Sequence, residues 1–509
     1  MADRSQTPVT RAVAGYRRLD SRGWLTTGLV TALAAALRLP ALGRPRTLVF
    51  DETYYVKDAW TLLNVGYEAV WETEVDQAFA AGDVSRYSTD PSFVVHPQVG
   101  KWVIAVGLRL FGADDPVGWR FGVAIAGILT VLLLVRAGRR LLGSTALAAI
   151  AGTALAIDGS AIVHSRIAIL DGILAMWLVA AFAALLVDRD HARARLAAAT
   201  GPPRAPTRFG PGLGLRPWRI VAGVMLGLAL GTKWSALWFV AVFGLLAVGW
   251  DASARYRAGV RRWWQATLLR DAVPAFVAIV VVAAVTYVAS WLSWFRARGW
   301  GREWAATQEP SWVPEWLRSL WWTHEKIWEF HTDLVADHPY SAHPITWLLQ
   351  LRPTAFWYNP VSGPSELCPV KDCTQTITSL GNPVLWWLAT VALVACVWWA
   401  LRRRDGVAVA VVAGVAAGWL PWFQPTERPL FAFYAVAFLP WLMLGLAWSV
   451  GQAVAWSRGD PGREAKVRTV LVVLAGLALV TSVLMYPLWT AQVIPVQHWQ
   501  VRQLLPGWV

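Results

Sequence analysis

The chain has 509 residues, of which 56% are hydrophobic and only 15% charged, and its mean hydropathy is +0.43. A soluble globular domain carries about 25% charged residues, so that class is excluded. The formal net charge of +14 would suit a nucleic-acid binder, but the positions of the basic residues oppose that reading.

Apolar residues gather in continuous blocks of about 20, the length a helix needs to cross the hydrocarbon core of a bilayer. In chain order the blocks are 22–42, 117–135, 144–158, 166–187, 217–233, 234–250, 271–294, 383–401, 406–421, 430–450 and 468–488. Transmembrane β-strands would instead alternate over short segments. The prediction is an all-α polytopic membrane protein with eleven transmembrane helices, one per block. Residues 1–21 form a polar tail, and the first block is long enough to remain a span instead of being cleaved as a signal peptide. An N-terminal transmembrane module then covers 22–294, a tryptophan-rich loop 295–382, C-terminal transmembrane helices 383–488 and a tail 489–509.

With the N-terminus in the cytoplasm, the segments from Arg4 to Arg22, Arg136 to Arg140, Arg189 to Arg219, Arg255 to Arg270, Arg402 to Arg404 and Arg458 to Arg468 share that side. They hold 27 of the 46 Lys and Arg residues. The short connections opposite hold Arg166, Lys233 and Arg428, with Arg502 in the tail. This is the positive-inside bias, so the basicity reports topology and puts the C-terminus outside.

Two extracytoplasmic loops are long enough to fold, 43–116 and 295–382. In the first, the segment 99–112 is apolar but short, which suits an interfacial or re-entrant element. The second carries Trp300, Trp304, Trp312, Trp316, Trp321, Trp322 and Trp328, the side chain that settles at membrane interfaces. It also holds Cys368 and Cys373, which suit a local disulfide, with free thiols as the alternative; a metal half-site lacks a second pair at matching spacing. The Pro-, Gly- and Arg-rich connection 188–219, which includes Gly201-Pro202-Pro203, reads as irregular.

Just past the first block stand Asp51 and Glu52. Adjacent carboxylates at a membrane surface are costly unless binding or chemistry uses them; capping a helix is their structural alternative. The topology collects further polar groups on the same side: His96, Lys101, Arg120, Asp158, His164, Arg166, Asp171, Lys233, Glu427 and Arg428. Carboxylates among cations suit the transfer of a group from a phosphate-bearing lipid. One carboxylate takes the proton of an attacking hydroxyl, and the cations stabilise charge that grows on the leaving phosphate. Arg166 and Asp171 can equally pair with each other, and His164 can be a hydrogen-bonded structural residue. His324, His331, His338 and His343 show no compact ligand spacing, so substrate or structural roles are favoured over a metal site.

Several motifs run in order along one membrane face. They are Phe50-Asp51-Glu52, His96-Pro97 with Gly100-Lys101, Trp119-Arg120-Phe121, Asp158, Ser165-Arg166, Leu170-Asp171 and Gly231-Thr232-Lys233-Trp234. Then come His338-Pro339-Tyr340-Ser341, Arg352-Pro353, Gly381-Asn382-Pro383, and Arg428 before Phe431 to Tyr434. Together they resemble the protein O-mannosyltransferase family, membrane glycosyltransferases of the GT-C fold.

The resemblance implies an inverting transfer of mannose from polyprenyl-phosphate-mannose to Ser or Thr hydroxyls of secreted or membrane proteins, at a bacterial cell membrane. No cofactor is required, a divalent cation is left open, nucleic acid is not a partner, and the protein secretion machinery is a candidate one. By the same resemblance Asp51 is the general base and Glu52 positions acceptor or donor. Arg120 lies near the lipid phosphate, supported by Arg38 inside the first span. Arg166, Lys233, Asp171, His96 and Lys101 are further phosphate or sugar contacts. His338, Tyr340, Ser341 and Arg428 form an acceptor or loop site. The loop 295–382 is too short for the sugar-binding-like domain array of eukaryotic members, and its tryptophan content resembles bacterial ones. The competing expectation is another GT-C transferase with a lipid or polysaccharide acceptor. A transporter would put its ionisable groups near mid-bilayer instead.

Overall fold

The computed structural model describes residues 20–200, 208–296, 310, 312–424 and 428–508. Residues 1–19, Gly201-Pro202-Pro203, Trp300, Trp304 and Glu427 lie outside the described residues.

Helix α1 (Ser21–Arg38) starts where the Asp20 carboxylate accepts a hydrogen bond from Gly23 N. There follow α2 (Glu52–Val65), a two-stranded antiparallel pair of β1 (Ala69–Trp71) and β2 (Tyr87–Pro91), and α3 (Val99–Phe111). The short apolar segment 99–112 is therefore helical, and it lies against α4 (Pro116–Leu142). Glycines let the two backbones touch. A Cβ added to Gly107 would stand 2.3 Å from Gly118 O, and one added to Gly122 would stand 2.0 Å from Val103 O. This close approach sets Arg120, on α4, against the turn that leads into α2.

The bundle continues with α5 (Thr145–Ile157), α6 (Leu170–Thr200), α7 (Pro217–Leu230), α8 (Ala236–Arg257) and α9 (Trp263–Ala289). Helix α6 is the hub: it packs on α4, α7 and α8, and 78% of its membrane-length apolar stretch is buried. The connection expected to be irregular from 188 onward is helical as far as Thr200. Its Ala-, Arg- and Leu-rich run favours helix, and Asp188 is tied to Arg216 and Arg219 beyond it.

The loop end of the bundle carries α10 (Glu315–Asp333) and a hairpin of β3 (Thr354–Ser362) and β4 (Asp372–Ser379), at whose turn Cys368 and Cys373 form a disulfide. The last long helices are α11 (Pro383–Arg403), α12 (Gly406–Trp419), α13 (Leu439–Ser457) and α14 (Pro461–Trp489). Strand β5 (Ile494–Pro495) then returns to pair with β4. The buried Trp508 donates from its indole N–H to Gln350 O at 2.7 Å, so the chain's end is built into the same cap.

Among the described residues, seven helices are long and apolar enough by themselves to cross a membrane: α4, α6, α8, α9, α11, α14 and the run Gly406–Phe423 that begins with α12. The other four apolar blocks fall on α1, α5, α7 and α13, which are shorter or less apolar. The protein is a multi-pass, mostly helical membrane protein, and among the described residues two small sheets lie outside its long helices.

Candidate active site

The turn into α2 separates two adjacent carboxylates into different environments. Phe50 takes a positive φ of 53°, a conformation that costs a non-glycine residue about 1–2 kcal/mol. Its ring packs on Phe356 of β3 at 4.8 Å and on Phe433 at 5.9 Å, which holds the turn against the cap. Asp51 then occupies the N-cap position of α2 without using its carboxylate as a cap. Glu52 points inward, fully buried.

Glu52 is saturated. Its Oε1 accepts from Arg120 Nε at 2.8 Å and Ala168 N at 2.7 Å; its Oε2 accepts from Arg120 Nη2 at 2.8 Å and Val49 N at 2.9 Å. Asp51, by contrast, receives one long side-chain hydrogen bond, from Tyr55 Oη at 3.4 Å. Burial pushes its carboxyl up to about 6, against the pull of Lys233 and with the help of Asp171. A half-buried, weakly engaged carboxylate with a pKa near neutrality is what a general base needs.

Beside it, Lys233 Nζ bridges both oxygens of Asp171, at 2.9 and 3.1 Å, and lies 4.5 Å from the centre of the Tyr434 ring. These groups face a cavity of about 670 Å³ whose polar lining includes His96, Asp171, Lys233, His331 and Arg428. Its remaining wall is largely apolar and comes from membrane helices, including Leu237, Trp238, Ala284, Ala417 and Trp422. A second cleft of about 400 Å³ is lined by Asp337, His338, Ser341 and Arg428. Tyr340 shapes that loop by donating its backbone N–H to His338 Nδ1 at 3.1 Å.

Four of the basic residues expected at the donor phosphate are hydrogen-bonded to groups within the protein. Arg120 divides its guanidinium between Glu52 and the carbonyls of Leu42, Pro45 and Thr47. Arg38 donates to Ser165 Oγ and the carbonyls of Ala34, Leu155 and Ala156, and Arg166 donates to the carbonyls of Arg38, Pro40 and Ala41. Lys101 sits between Asp58 and Glu68 at 2.9 Å each. Their charges are compensated in the interior, where a charge must be paired or fully hydrogen-bonded. Arg166 therefore does not pair with Asp171. Asp158 is likewise a junction: it caps the turn at Ala161 and accepts from Asn382 N and Trp386 Nε1. His164 is buried and bound through Nδ1 to Ser160 O.

Sequence reasoning missed Tyr55 and Tyr287. The i, i+4 spacing of Asp51 and Tyr55 on a helix start could have suggested the first contact. Nothing local signals the second, whose hydroxyl accepts from Trp234 Nε1 at 2.9 Å and meets His324 Nε2 at 2.5 Å. Among the described residues, no three His, Cys, Asp or Glu side chains gather as metal ligands.

Residues 28–293 match the family model described as dolichyl-phosphate-mannose-protein mannosyltransferase, and residues 316–508 match that of the C-terminal four-span region of protein-O-mannosyltransferase. A Mycobacterium tuberculosis protein named polyprenol-phosphate-mannose–protein mannosyltransferase is 36% identical over 534 residues, covering 99% of this chain and 97% of its own. A Corynebacterium glutamicum protein of the same name is 32% identical, covering 97% of this chain and 94% of its own. The solved S. cerevisiae protein O-mannosyltransferase Pmt1-Pmt2 complex bound to the sugar donor superposes with a TM-score of 0.75 over 98% of this chain and 94% of that one. At 14% identity that likeness speaks for the fold, the GT-C architecture. Both halves of the chain and its whole length therefore place it in the protein O-mannosyltransferase family.

Proposed function

We propose that this protein transfers mannose from a polyprenyl-phosphate carrier to Ser or Thr hydroxyls of polypeptides. The observation that carries the reading is the position of Asp51. It is a nearly unengaged, half-buried carboxylate within electrostatic reach of the Lys233–Asp171 pair, which lines a cavity whose wall is largely apolar. Such a wall suits an isoprenoid tail, and the polar head of the cavity suits a sugar phosphate.

In this mechanism Asp51 accepts the proton as the acceptor oxygen bonds to mannose C1. The bond from C1 to the phosphate oxygen breaks with its electron pair going to phosphate, and the configuration at C1 inverts in a single displacement. Lys233, oriented by Asp171, faces sugar or phosphate from the same cavity, and His96 lines its wall. His338, Tyr340 and Ser341 belong to the acceptor side, at the second cleft. The cap lies outside the cell membrane of a bacterium, with the N-terminus in the cytoplasm, and acceptors reach it as they leave the secretion machinery.

The test is transfer of labelled mannose from polyprenyl-phosphate-mannose to a Ser/Thr-rich secreted peptide by the purified protein. Label on the peptide with the wild type and none with Asp51→Asn is the expected result. Label appearing on a glycolipid or polysaccharide and on no peptide would refute the proposed acceptor.

A further inference from the structure

The large cavity and the second cleft share Arg428. Its guanidinium differs from the other cations of the site. Arg120, Lys101 and Lys233 each face a carboxylate, and Arg38 and Arg166 are wrapped in carbonyls. Among the described residues Arg428 has no ion pair. Its Nη1 donates to His331 Nδ1 at 3.0 Å, and its Nε is shielded from solvent without any hydrogen-bond partner. An unmatched guanidinium with a sequestered N–H is costly unless an anion completes it. Lys233 already lies within electrostatic reach of both Asp171 and Asp51, so less of its charge is left to match a ligand's phosphate.

The histidine that holds Arg428 is itself fixed. Arginine can only donate, so His331 Nδ1 is the acceptor and the ring carries its proton on Nε2, which donates to Val95 O at 3.1 Å. The ring also stacks on His96, 5.3 Å between centroids. His331 thus holds the guanidinium from α10, which itself lines the cavity through His324, Trp328, His331 and Thr332.

We propose that Arg428 binds the phosphate of an isoprenyl-phosphate ligand in the large cavity, and that His331 is the positioning residue that orients it. This moves Arg428 from the acceptor side to the donor side. It rests on the proposed transfer for its biological ligand. A planar guanidinium with free N–H groups matches phosphate oxygens. The match strengthens as the phosphodiester of the donor becomes the more highly charged phosphomonoester of the released carrier.

Binding to the purified full chain can be followed by quenching of the cavity tryptophans, with farnesyl phosphate, farnesol and inorganic phosphate as probes. Arg428→Gln is expected to weaken farnesyl phosphate by about tenfold or more and farnesol by less than about twofold, the size of a lost charged hydrogen bond. Arg428→Lys should fall between. His331→Asn, which keeps an acceptor near the Nδ1 position, should retain more affinity than His331→Phe. The double variant Arg428→Gln/His331→Phe should be no weaker than Arg428→Gln alone.

Unchanged farnesyl phosphate affinity in Arg428→Gln would overturn the proposal, as would equal losses for farnesol, which mark a packing defect. Inorganic phosphate binding as tightly as farnesyl phosphate would overturn the assignment to a lipid phosphate. Fully additive losses in the double variant would overturn the positioning role. If the wild type mannosylates no peptide while these differences hold, the proposed acceptor fails and Arg428 keeps its role. Peptide transfer by the wild type with no binding difference in Arg428→Gln would leave the transfer standing and overturn the phosphate role of Arg428.

Discussion

Glu52 and Arg120 meet in a two-pronged ion pair, Oε1 to Nε and Oε2 to Nη2, both at 2.8 Å and both fully buried. The pair joins the turn at 49–52 to α4, and through Ala168 N to the loop before α6. Asp51 immediately precedes Glu52 in the chain, so its direction is set by this brace while its own carboxylate keeps a single long hydrogen bond. The two adjacent carboxylates differ in their surroundings: Glu52 is saturated with hydrogen bonds, and Asp51 receives one long one.

Glu52→Gln removes the charge that compensates Arg120. Breaking one side of a buried pair costs about 3–5 kcal/mol. The variant should therefore melt well below the wild type in the same detergent, and activity per folded molecule should fall as the turn loosens. A melting curve identical to wild type would show that Glu52 is not the brace.

Asp51→Asn should behave in the opposite way. Loss of a positioned base costs about 10²–10⁴ in rate, whereas replacing a half-buried, poorly paired carboxylate with a neutral amide should leave melting unchanged or raise it. Rate and melting measured on one preparation test this. Coincident losses of both would make Asp51 a structural residue.

The raised carboxyl of Asp51, about 6 against an ordinary 3.8, predicts a pH profile. The base works only when deprotonated, so transfer should be full above neutrality and fall as pH drops through about 6. For stability the sign is reversed. The folded state holds this proton more tightly than the unfolded chain, so the group's contribution to stability rises as pH falls from about 6 toward 3.8. Comparison of kcat/KM and melting with Asp51→Asn across that range isolates both terms. A wild-type inflection near 4 would show a carboxyl unperturbed by burial.

Lys233 and Asp171 should be coupled. Each single alanine variant leaves one buried charge without its partner, whereas the double variant leaves none, so the two losses should fall short of additivity by ~0.5–3 kcal/mol. A double-mutant cycle on melting and on donor KM measures this. Strict additivity would mean that the 2.9 Å contact contributes nothing to either.

Composition and block length were sufficient for the membrane class, because continuous apolar runs of bilayer length have no other economical fold. The local motif around Asp51 and Glu52 stood out in the sequence, and Lys233, Asp171 and His96, singled out with it, line one cavity. The amino-acid order reports that a charge lies near the membrane boundary, and there it stops. Which partner meets that charge depends on contacts between residues far apart in the chain, 68 positions for Arg120 with Glu52 and 127 for Arg38 with Ser165. That Arg38, Arg120, Arg166 and Lys101 are compensated within the protein emerges from those long-range contacts and from no local pattern. Folding also leaves Arg428 without a counter-anion among the described residues, because the partner a charge meets is set by its surroundings and not by its place in the chain.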